Sequence, residues 1–274
     1  MKILNFRNTS ALFLLLFSLF TVCRIFIRPV EHPFLSGLYN IPWLIYPGLL
    51  LIYIGVSVSM AFFPVFGFHY RDVKSHGDRT EKSLTLTFDD GPDTETTPLI
   101  LDILRKYNIK ATFFIIGRKI AGNDGILKRM LAEGHVIGNH SWSHTNLWDF
   151  YSSGRMADDI EKNIRETERI TGKTMKLFRP PYGVINPMVA RAIRKTAVEV
   201  VTWSFRSFDT SAGDPSSLLA KTINKSRPGD IMLFHDSLVL TAGILEKIIV
   251  TLQERGFSFI SLEEMLKLKA YGNC

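Results

Sequence analysis

Two adjacent carboxylates, Asp89 and Asp90, directly follow a run in residues 83–88 that alternates apolar and polar side chains. Such a run, closed by acids and a Gly-Pro pair, is typical of a strand that delivers side chains at its carboxyl end. Neighbouring carboxylates repel each other, and a divalent cation relieves this by neutralising one of them. The alternative is a solvated acidic turn, because Asp and Gly are common turn residues.

Two histidines four residues apart, His140 and His144, form a second group with chemical potential. On a helical turn, side chains at this spacing face the same side. Two imidazoles plus one carboxylate are a common ligand set for a catalytic zinc, with positions left for water and substrate. Histidines that are hydrogen-bonded within a loop are the structural alternative.

Strands and helices alternate along the chain from residue 83, which predicts an α/β fold. Seven strands separated by helices indicate a parallel sheet, closed or nearly closed as a β/α barrel. The predicted strands are 83–88, 111–116, 136–138, 175–179, 198–203, 231–235 and 257–260, and the predicted helices are 99–107, 124–133, 153–171, 187–196, 215–226 and 241–255. The charged face of the helix over 153–171, which includes Asp159, is predicted to be solvated surface.

Unusual polar residues follow four of these strands: the Asp89–Asp90 pair, the two histidines, the segment 179–182, and His235 with Asp236. The carboxyl ends of barrel strands meet on one face, so residues distant in sequence are expected to share one site.

The N-terminal part of the chain is apolar. Residues 11–23 and 43–66 form two such runs, and a bilayer-spanning helix needs roughly 20 residues. We predict a membrane anchor of one or two transmembrane helices over residues 1–66, a linker over 67–82 and a catalytic domain over 83–274. A cleaved signal peptide over 1–23 is the competing interpretation. The prediction places the protein in the cell membrane and leaves the side of the catalytic domain open, because one span and two spans give opposite answers.

Charge and cysteine content limit the classes of partner. The formal net charge is +7 and the two cysteines are Cys23 and Cys274, so the fold is not expected to depend on a disulfide. The positive charge is spread along the domain. It fits an anionic lipid surface or substrate better than nucleic acid, for which no motif is visible.

Four motifs, in order, give a specific resemblance. Thr-Phe-Asp-Asp-Gly at 87–91, His-Ser-Trp-Ser-His at 140–144, Arg-Pro-Pro-Tyr-Gly at 179–183 and Leu-Phe-His at 233–235 are similar to motifs of the polysaccharide deacetylases, the NodB-homology domain of carbohydrate esterase family 4. The resemblance implies a distorted (β/α) barrel. It also implies a metal-dependent hydrolase that removes N-acetyl groups from amino sugars of a cell-wall or surface polysaccharide or glycoconjugate.

Carried over residue by residue, the resemblance implies that Asp90, His140 and His144 hold a divalent metal. Zinc is the first expectation, with cobalt or another divalent ion as alternatives. Asp89 would be the general base that takes a proton from water. Arg179 would pair with Asp89 and keep it ionised.

The resemblance assigns the remaining roles around the reacting group. The backbone N–H of Tyr182 would help to bind the oxyanion. His235 would protonate the leaving amine, because an amine leaves poorly unless it is protonated. Trp203 and Leu233, which lie in or beside the motifs, are expected to contact substrate.

One loop departs from the family pattern. The family has an Asp, then an Asp-Trp pair, after the strand that holds Trp203, and here Arg206 and Thr210 replace the first Asp and the Trp while Asp209 is kept. A cation near His235 would lower the imidazole pKa. We expect Arg206 and Asp209 to bind substrate. Our hypothesis is that Arg206 recognises an anionic group, such as the phosphate of a lipid-linked sugar. The alternative is that Arg206 points outward or pairs with Asp209.

Two other functions stay open at this point. One is removal of an acetyl or formyl group from a lipid-linked amino sugar at the membrane. The other is a catalytically inactive, sugar-binding homologue, for which the altered loop is the only argument. The expected partners are therefore an N-acetylated amino-sugar polymer or a lipid-linked saccharide, together with the membrane.

Overall fold

A parallel β-sheet forms the centre of the larger of two units in the structure, a computed structural model that describes residues 5–26 and 45–272. The larger unit comprises Asp72–Gly183 and the chain from Pro187 onward. The smaller unit comprises the described residues up to Arg71 together with Val184–Asn186.

The sheet has nine strands among the described residues, and every ladder between them is parallel. The strands are β1 (Val73–Lys74), β2 (Ser83–Asp89), β3 (Thr112–Ile115), β4 (Val136–Asn139), β5 (Leu177–Phe178), β6 (Glu199–Val201), β7 (Phe205–Arg206), β8 (Asp230–His235) and β9 (Ser258–Phe259). Their order is β1-β6-β5-β4-β3-β2-β8-β7, with β9 also paired to β2. In the described chain β1 and β7 are opposite edges that do not pair, so the sheet is an open half-barrel.

Two short strands were absent from the sequence prediction of seven. Strand β1 lies inside the predicted linker over 67–82, where it pairs with β6. Strand β7 pairs with β8 in a segment that the sequence assigns to a loop. A two-residue strand has no periodicity of its own, so only its partner defines it.

Strand β2 is the best-connected strand of the sheet. It pairs with β3, β8 and β9, and all seven of its residues are buried. The alternation in its sequence therefore does not separate a buried face from a solvated one. Thr87 is accommodated inside because its hydroxyl donates to the Met232 carbonyl at 2.8 Å. Phe88 stacks on Phe113 in the core, with 5.1 Å between ring centroids.

The larger unit has seven helices among the described residues; the first six follow the predicted positions closely, and the last was not predicted. They are α3 (Thr96–Lys106), α4 (Asp124–Ala132), α5 (Ser153–Thr171), α6 (Pro187–Thr196), α7 (Pro215–Lys225), α8 (Val239–Glu254) and α9 (Leu262–Leu266). The ends of α5 agree with the sequence because both caps are encoded locally. The Ser152 side chain accepts the Arg155 N–H at the start, and Gly172 adopts φ 66° at the end.

The smaller unit holds two helices, α1 (Phe6–Phe26) and α2 (Ile45–Ala61). They pack through Tyr53, whose ring stacks on Phe13 with 4.7 Å between centroids and whose hydroxyl lies 2.8 Å from the Ser10 hydroxyl.

The predicted membrane anchor, and with it the predicted location in the cell membrane, is wrong. None of the helices in the described residues is both long enough and apolar enough to cross a bilayer. Helix α2 ends at Ala61. Residues 27–44, which include the start of the predicted second span, lie outside the described residues.

Candidate active site

The carboxyl edge of the sheet brings together the side chains that the sequence singled out. A pocket of about 200 Å³ opens there, and its walls belong to the larger unit. The lining residues are Asp89, Asp90, His140, His144, Tyr182, Gly183, Trp203, Arg206, Thr210, Leu233 and His235. Of the predicted site residues, Arg179 and Asp209 lie behind this wall and contact the residues that form it.

Asp89 is the last residue of β2, and it is buried beside an arginine. Nη1 of Arg179 donates to Oδ1 of Asp89 at 2.7 Å and also to the Thr87 hydroxyl at 2.8 Å. Nε donates to the Val201 carbonyl at 3.1 Å, and Nη2 donates to the Thr202 carbonyl at 2.9 Å. Arg179 has no exposed surface, so burial lowers its pKa, and Asp89 opposes that change. A buried ion pair in which four of the five guanidinium N–H groups are hydrogen-bonded holds the carboxylate in one orientation.

Asp90 follows with φ 72°, and this left-handed backbone turns its side chain toward the two histidines. Its Oδ1 lies 3.4 Å from Nε2 of His144 and 3.6 Å from Nε2 of His140. Burial raises the pKa of this carboxyl, but attraction to the facing histidines in their protonated forms, and to Lys119, outweighs burial, and the net pKa is lowered.

The histidine pair lies on a loop rather than on the helical turn that the spacing predicts. Ser141 and His144 adopt φ values of 64° and 41°, which a right-handed helix does not allow. Nδ1 of His140 lies 2.7 Å from the Arg179 carbonyl oxygen. Because a carbonyl only accepts, Nδ1 carries the proton and the Nε2 lone pair is left for a ligand. Burial, and next the neighbouring His140, lower the pKa of His144 to about 4, so this ring is neutral at physiological pH.

The three side chains fit a divalent metal. One donor atom from each of Asp90, His140 and His144 lies within 4.8 Å of the others. Oδ1 of Asp90 is buried and has no hydrogen-bond partner among the described residues. A buried polar atom without a partner is unfavourable, and two neutral imidazoles with one carboxylate are a donor set that zinc and similar ions accept.

His235 lies across the pocket, and it is held by Asp209. Nδ1 of the ring lies 2.7 Å from Oδ1 of Asp209, and the His235 backbone N–H donates to Oδ2 at 2.8 Å. The hydroxyls of Ser207 and Thr241 donate to the same carboxylate at 2.9 and 2.7 Å. The expected role of Asp209 in substrate binding has no support, because its side chain is fully buried and occupied by these donors.

The electrostatics at His235 differ from the sequence prediction that a nearby cation would lower its pKa. Burial does lower it, but the hydrogen bond and charge of Asp209, followed by the charges of Asp89 and Asp90, raise the net pKa above the usual value. Arg206 does not pair with Asp209 or point directly away. Its guanidinium lies over the rings of Phe208 (4.8 Å) and Trp203 (5.8 Å) and lines the pocket.

Tyr182 forms the rim of the pocket on the histidine side. It adopts φ 56° between Pro181 and Gly183, and its ring lies 5.0 Å from that of His144. Gly183 is required here, because a Cβ at this position would lie 2.3 Å from the Trp203 ring. The turn therefore brings the Tyr182 backbone close to the pocket, which a bulkier following residue would prevent.

A positioning residue that the sequence assigned to solvated surface is Asp159 on α5. Its Oδ2 accepts the backbone N–H groups of Trp142 (2.9 Å) and Ser143 (3.2 Å) and the indole N–H of Trp148 (3.0 Å). The first two bonds fix the loop between the two histidines, and the third holds the segment that follows His144. One sequence feature could have indicated that Asp159 is not simply solvated: it lies beside Ile160 and one turn from Met156, at the border of the apolar face of the helix.

Comparison with known proteins identifies the family. Residues 76–201 match the family model described as polysaccharide deacetylase. The chain is 35% identical over 187 residues to the peptidoglycan-N-acetylglucosamine deacetylase PgdA of Listeria monocytogenes, covering 68% of this chain and 39% of that protein. It is also 35% identical over 197 residues to a peptidoglycan-N-acetylglucosamine deacetylase of Bacillus cereus, covering 69% of this chain and 90% of that protein.

A solved structure agrees with these matches. The crystal structure of the Bc1960 peptidoglycan N-acetylglucosamine deacetylase superposes with a TM-score of 0.68 and 33% identity, covering 73% of this chain and 94% of that chain. The chain therefore belongs to the polysaccharide deacetylase family. It spans about two fifths of the length of the Listeria relative.

Proposed function

We propose that this protein is a metal-dependent hydrolase that removes N-acetyl groups from the amino sugars of a cell-wall polysaccharide, with peptidoglycan as the first candidate substrate. One observation carries the proposal: the Asp90–His140–His144 cluster lies in one pocket between the buried Asp89–Arg179 pair and the His235–Asp209 pair. The names of the relatives support the choice of polymer.

Asp90, His140 and His144 would hold the metal, with zinc as the first candidate. A divalent ion bound there supplies Lewis-acid activation of the acetyl carbonyl and of a water molecule. The Nδ1–H of His140, fixed on the Arg179 carbonyl, keeps Nε2 available as a ligand.

Asp89 is proposed as the general base. Its Oδ2 lies 3.8 Å from Nε2 of His140, so it borders the metal cluster, while Oδ1 is occupied by Arg179. Because the arginine holds Oδ1, Oδ2 is the oxygen that would accept the proton of the attacking water. The Asp89–Arg179 pair also restricts the base to one orientation.

His235 is proposed as the general acid on the opposite side. With Nδ1 bonded to Asp209, the ring presents Nε2 to the pocket, 3.9 Å from Oδ2 of Asp90. The raised pKa keeps this imidazole protonated over more of the neutral pH range. It can then donate the proton that the leaving amine requires.

Binding of the reacting acetyl group is assigned to the pocket wall. The backbone N–H of Tyr182, on the turn enforced by Gly183, is proposed as the oxyanion donor. Trp203 and Leu233 would contact the sugar, since both line the pocket. We assign these functions to the domain over 83–274.

Neither alternative function has gained a supporting observation. The argument for an inactive homologue was the altered loop at Arg206, and Asp209 occupies the position beside His235 that this loop had put in doubt. A lipid-linked saccharide depended on the membrane anchor, which the helices of the described chain do not support.

The test is acetate release from purified peptidoglycan and from N-acetylchitooligosaccharides, before and after treatment with a chelator. We expect loss of activity on chelation and recovery with zinc or cobalt. Asp89→Asn should abolish turnover with metal still bound, and His140→Ala should lose the metal. His76→Ala, at an exposed histidine outside the pocket, is the control. Activity that persists without metal would refute the proposal.

A further inference from the structure

A second cavity, of about 440 Å³, adjoins the candidate active site. Arg206 lines both cavities, so they meet at this residue. We call the second cavity the basic groove, because five of its lining residues are cationic. They are Arg79, Arg206, Lys221, Lys225 and Arg227.

The acid that lines the basic groove is already used. Asp230 is buried, and its Oδ1 accepts Nη1 of Arg79 at 2.6 Å and the Ser204 hydroxyl at 2.7 Å. Its Oδ2 accepts the Arg227 backbone N–H at 2.8 Å. Asp230 therefore neutralises Arg79 and leaves the charges of the other four cations without compensation.

Those four cations make no ion pair with a carboxylate in the part of the chain that the structure describes. Three of them, Arg206, Lys225 and Arg227, are exposed. Burial, then the charges of Lys225 and Arg206, lower the pKa of Lys221. Like charges gathered on one wall repel each other, and a bound anion would offset that repulsion.

Arg206 is placed to join the basic groove to the chemistry. It pairs with Leu233 in the β7–β8 ladder, and Leu233 lines the pocket that holds the metal cluster. Its guanidinium lies over two aromatic rings, which leaves the N–H groups at the edge of the guanidinium plane available for hydrogen bonds. The planar guanidinium group recognises carboxylate and phosphate through paired N–H donors.

We propose that the basic groove binds an oxyanion, a carboxylate or a phosphate, carried by a sugar next to the one that enters the catalytic pocket. This inference rests on the proposed function, since the ligand is part of the same polymer. The cavity has the size of an ordinary saccharide or small-ligand site. The enzyme is then specific for anionic amino-sugar polymers over neutral ones.

Binding tests the basic groove without depending on turnover. Four tetrasaccharides serve as probes. Two are N-acetylchitotetraose, which is neutral, and its 6-phosphate. The other two are a tetrasaccharide that contains N-acetylmuramic acid carboxylates and the methyl ester of that compound, which is its matched neutral form. Isothermal titration calorimetry compares wild type with Lys225→Glu and Arg227→Glu. Lys128→Glu, at an exposed lysine on α4 that does not line the basic groove, is the charge-matched control.

We expect the preference for anionic over neutral probes to fall about tenfold or more in Lys225→Glu and Arg227→Glu, and to stay at the wild-type value in Lys128→Glu. The preference should also weaken as salt is raised, because screening shortens electrostatic range. The phosphate and carboxylate probes show which oxyanion is bound. The inference is wrong if the wild-type protein shows no preference for anionic probes. It is also wrong if Lys225→Glu and Arg227→Glu reduce that preference no more than Lys128→Glu does.

Acetate release from the same tetrasaccharides separates this inference from the proposed function. If no probe is deacetylated, the proposed function is wrong. The binding data still show whether the basic groove binds an oxyanion. If all probes are deacetylated with equal kcat/KM, the proposed function stands and the inference is wrong.

Discussion

Oδ1 of Asp209 lies 2.7 Å from Nδ1 of His235, while Oδ2 of the same carboxylate accepts the His235 backbone N–H. One side chain thus fixes the ring and the backbone of the proposed acid. The Thr241 hydroxyl donates the third bond to this carboxylate, at Oδ2. The Ser207 hydroxyl and the Thr210 backbone N–H donate the fourth and fifth, both at Oδ1. An arrangement with five donors to one carboxylate stabilises its charge and, through that charge, the protonated imidazole.

Replacing Asp209 by Asn should shift the pH profile of deacetylation. The Asp209 charge raises the His235 pKa, so its removal lowers that pKa and shrinks the protonated fraction at a given pH. We expect the alkaline limb of kcat to move to lower pH, with a loss of about 100-fold near neutral pH. Thr241→Val keeps the carboxylate and should move the limb less. An unmoved limb in Asp209→Asn would contradict the assignment of His235 as the acid.

Replacing Arg179 by Met should destabilise the fold as well as the site. The change leaves Asp89 buried without its partner, which costs about 3–5 kcal/mol in the free energy of unfolding. Urea denaturation measures the loss. Arg165→Met removes an exposed i,i+4 pair with Glu161 and should change stability by less than about 1 kcal/mol. Equal losses in the two variants would show that the buried pair contributes no more than an exposed one.

Replacing Asp159 by Ala should weaken metal binding without touching a metal ligand. The loop between His140 and His144 loses two hydrogen bonds and the indole of Trp148 loses a third, and we expect metal affinity to fall about 10–100-fold. Competition with a chelator gives the dissociation constant. Asp158→Ala, at the exposed neighbouring position, is the matched control. Identical affinities in the two variants would mean that the loop is held by other contacts.

Replacing Asp236 by Asn should stabilise the protein at alkaline pH. Burial raises the pKa of Asp236 to about 7 from the usual value of 3.8. Between these values the folded state retains a proton that the unfolded chain releases, so this residue lowers stability as pH rises. We expect Asp236→Asn to have the higher Tm at pH 8 and a Tm near wild type at pH 4, both measured with chelator present. A constant difference across this range would show that the carboxyl does not titrate as described.

Sequence patterns predicted a site residue well when its own type and position carried the information. They failed when its structure or role depends on a partner elsewhere in the chain. Asp90 and His140 were found because their residue types and positions after strands carry the signal. Strand β7, with Arg206 on it, was missed because two residues gain strand geometry only by pairing with β8. Asp159 was missed because its partners are the backbone N–H groups of a loop, which no residue pattern reveals.

The predicted anchor failed for a related reason. Apolar composition measures how much side chain avoids water, whereas a span also needs an uninterrupted helix of sufficient length. Helix α2 ends at Ala61, and Pro64 opens a separate short turn before the apolar run is complete. Composition alone could not locate that end.

Arg179 serves two neighbours through two different parts of its structure. Its side chain holds Asp89, while its carbonyl oxygen fixes the tautomer of His140. Any amino acid at this position supplies the carbonyl, but only arginine supplies the guanidinium N–H groups that hold Asp89. A substitution that the fold survives should therefore uncouple two properties that normally disappear together, giving a protein that still takes up metal yet has a misdirected base. Metal content alone would then be a poor marker of a competent enzyme among natural variants of this family.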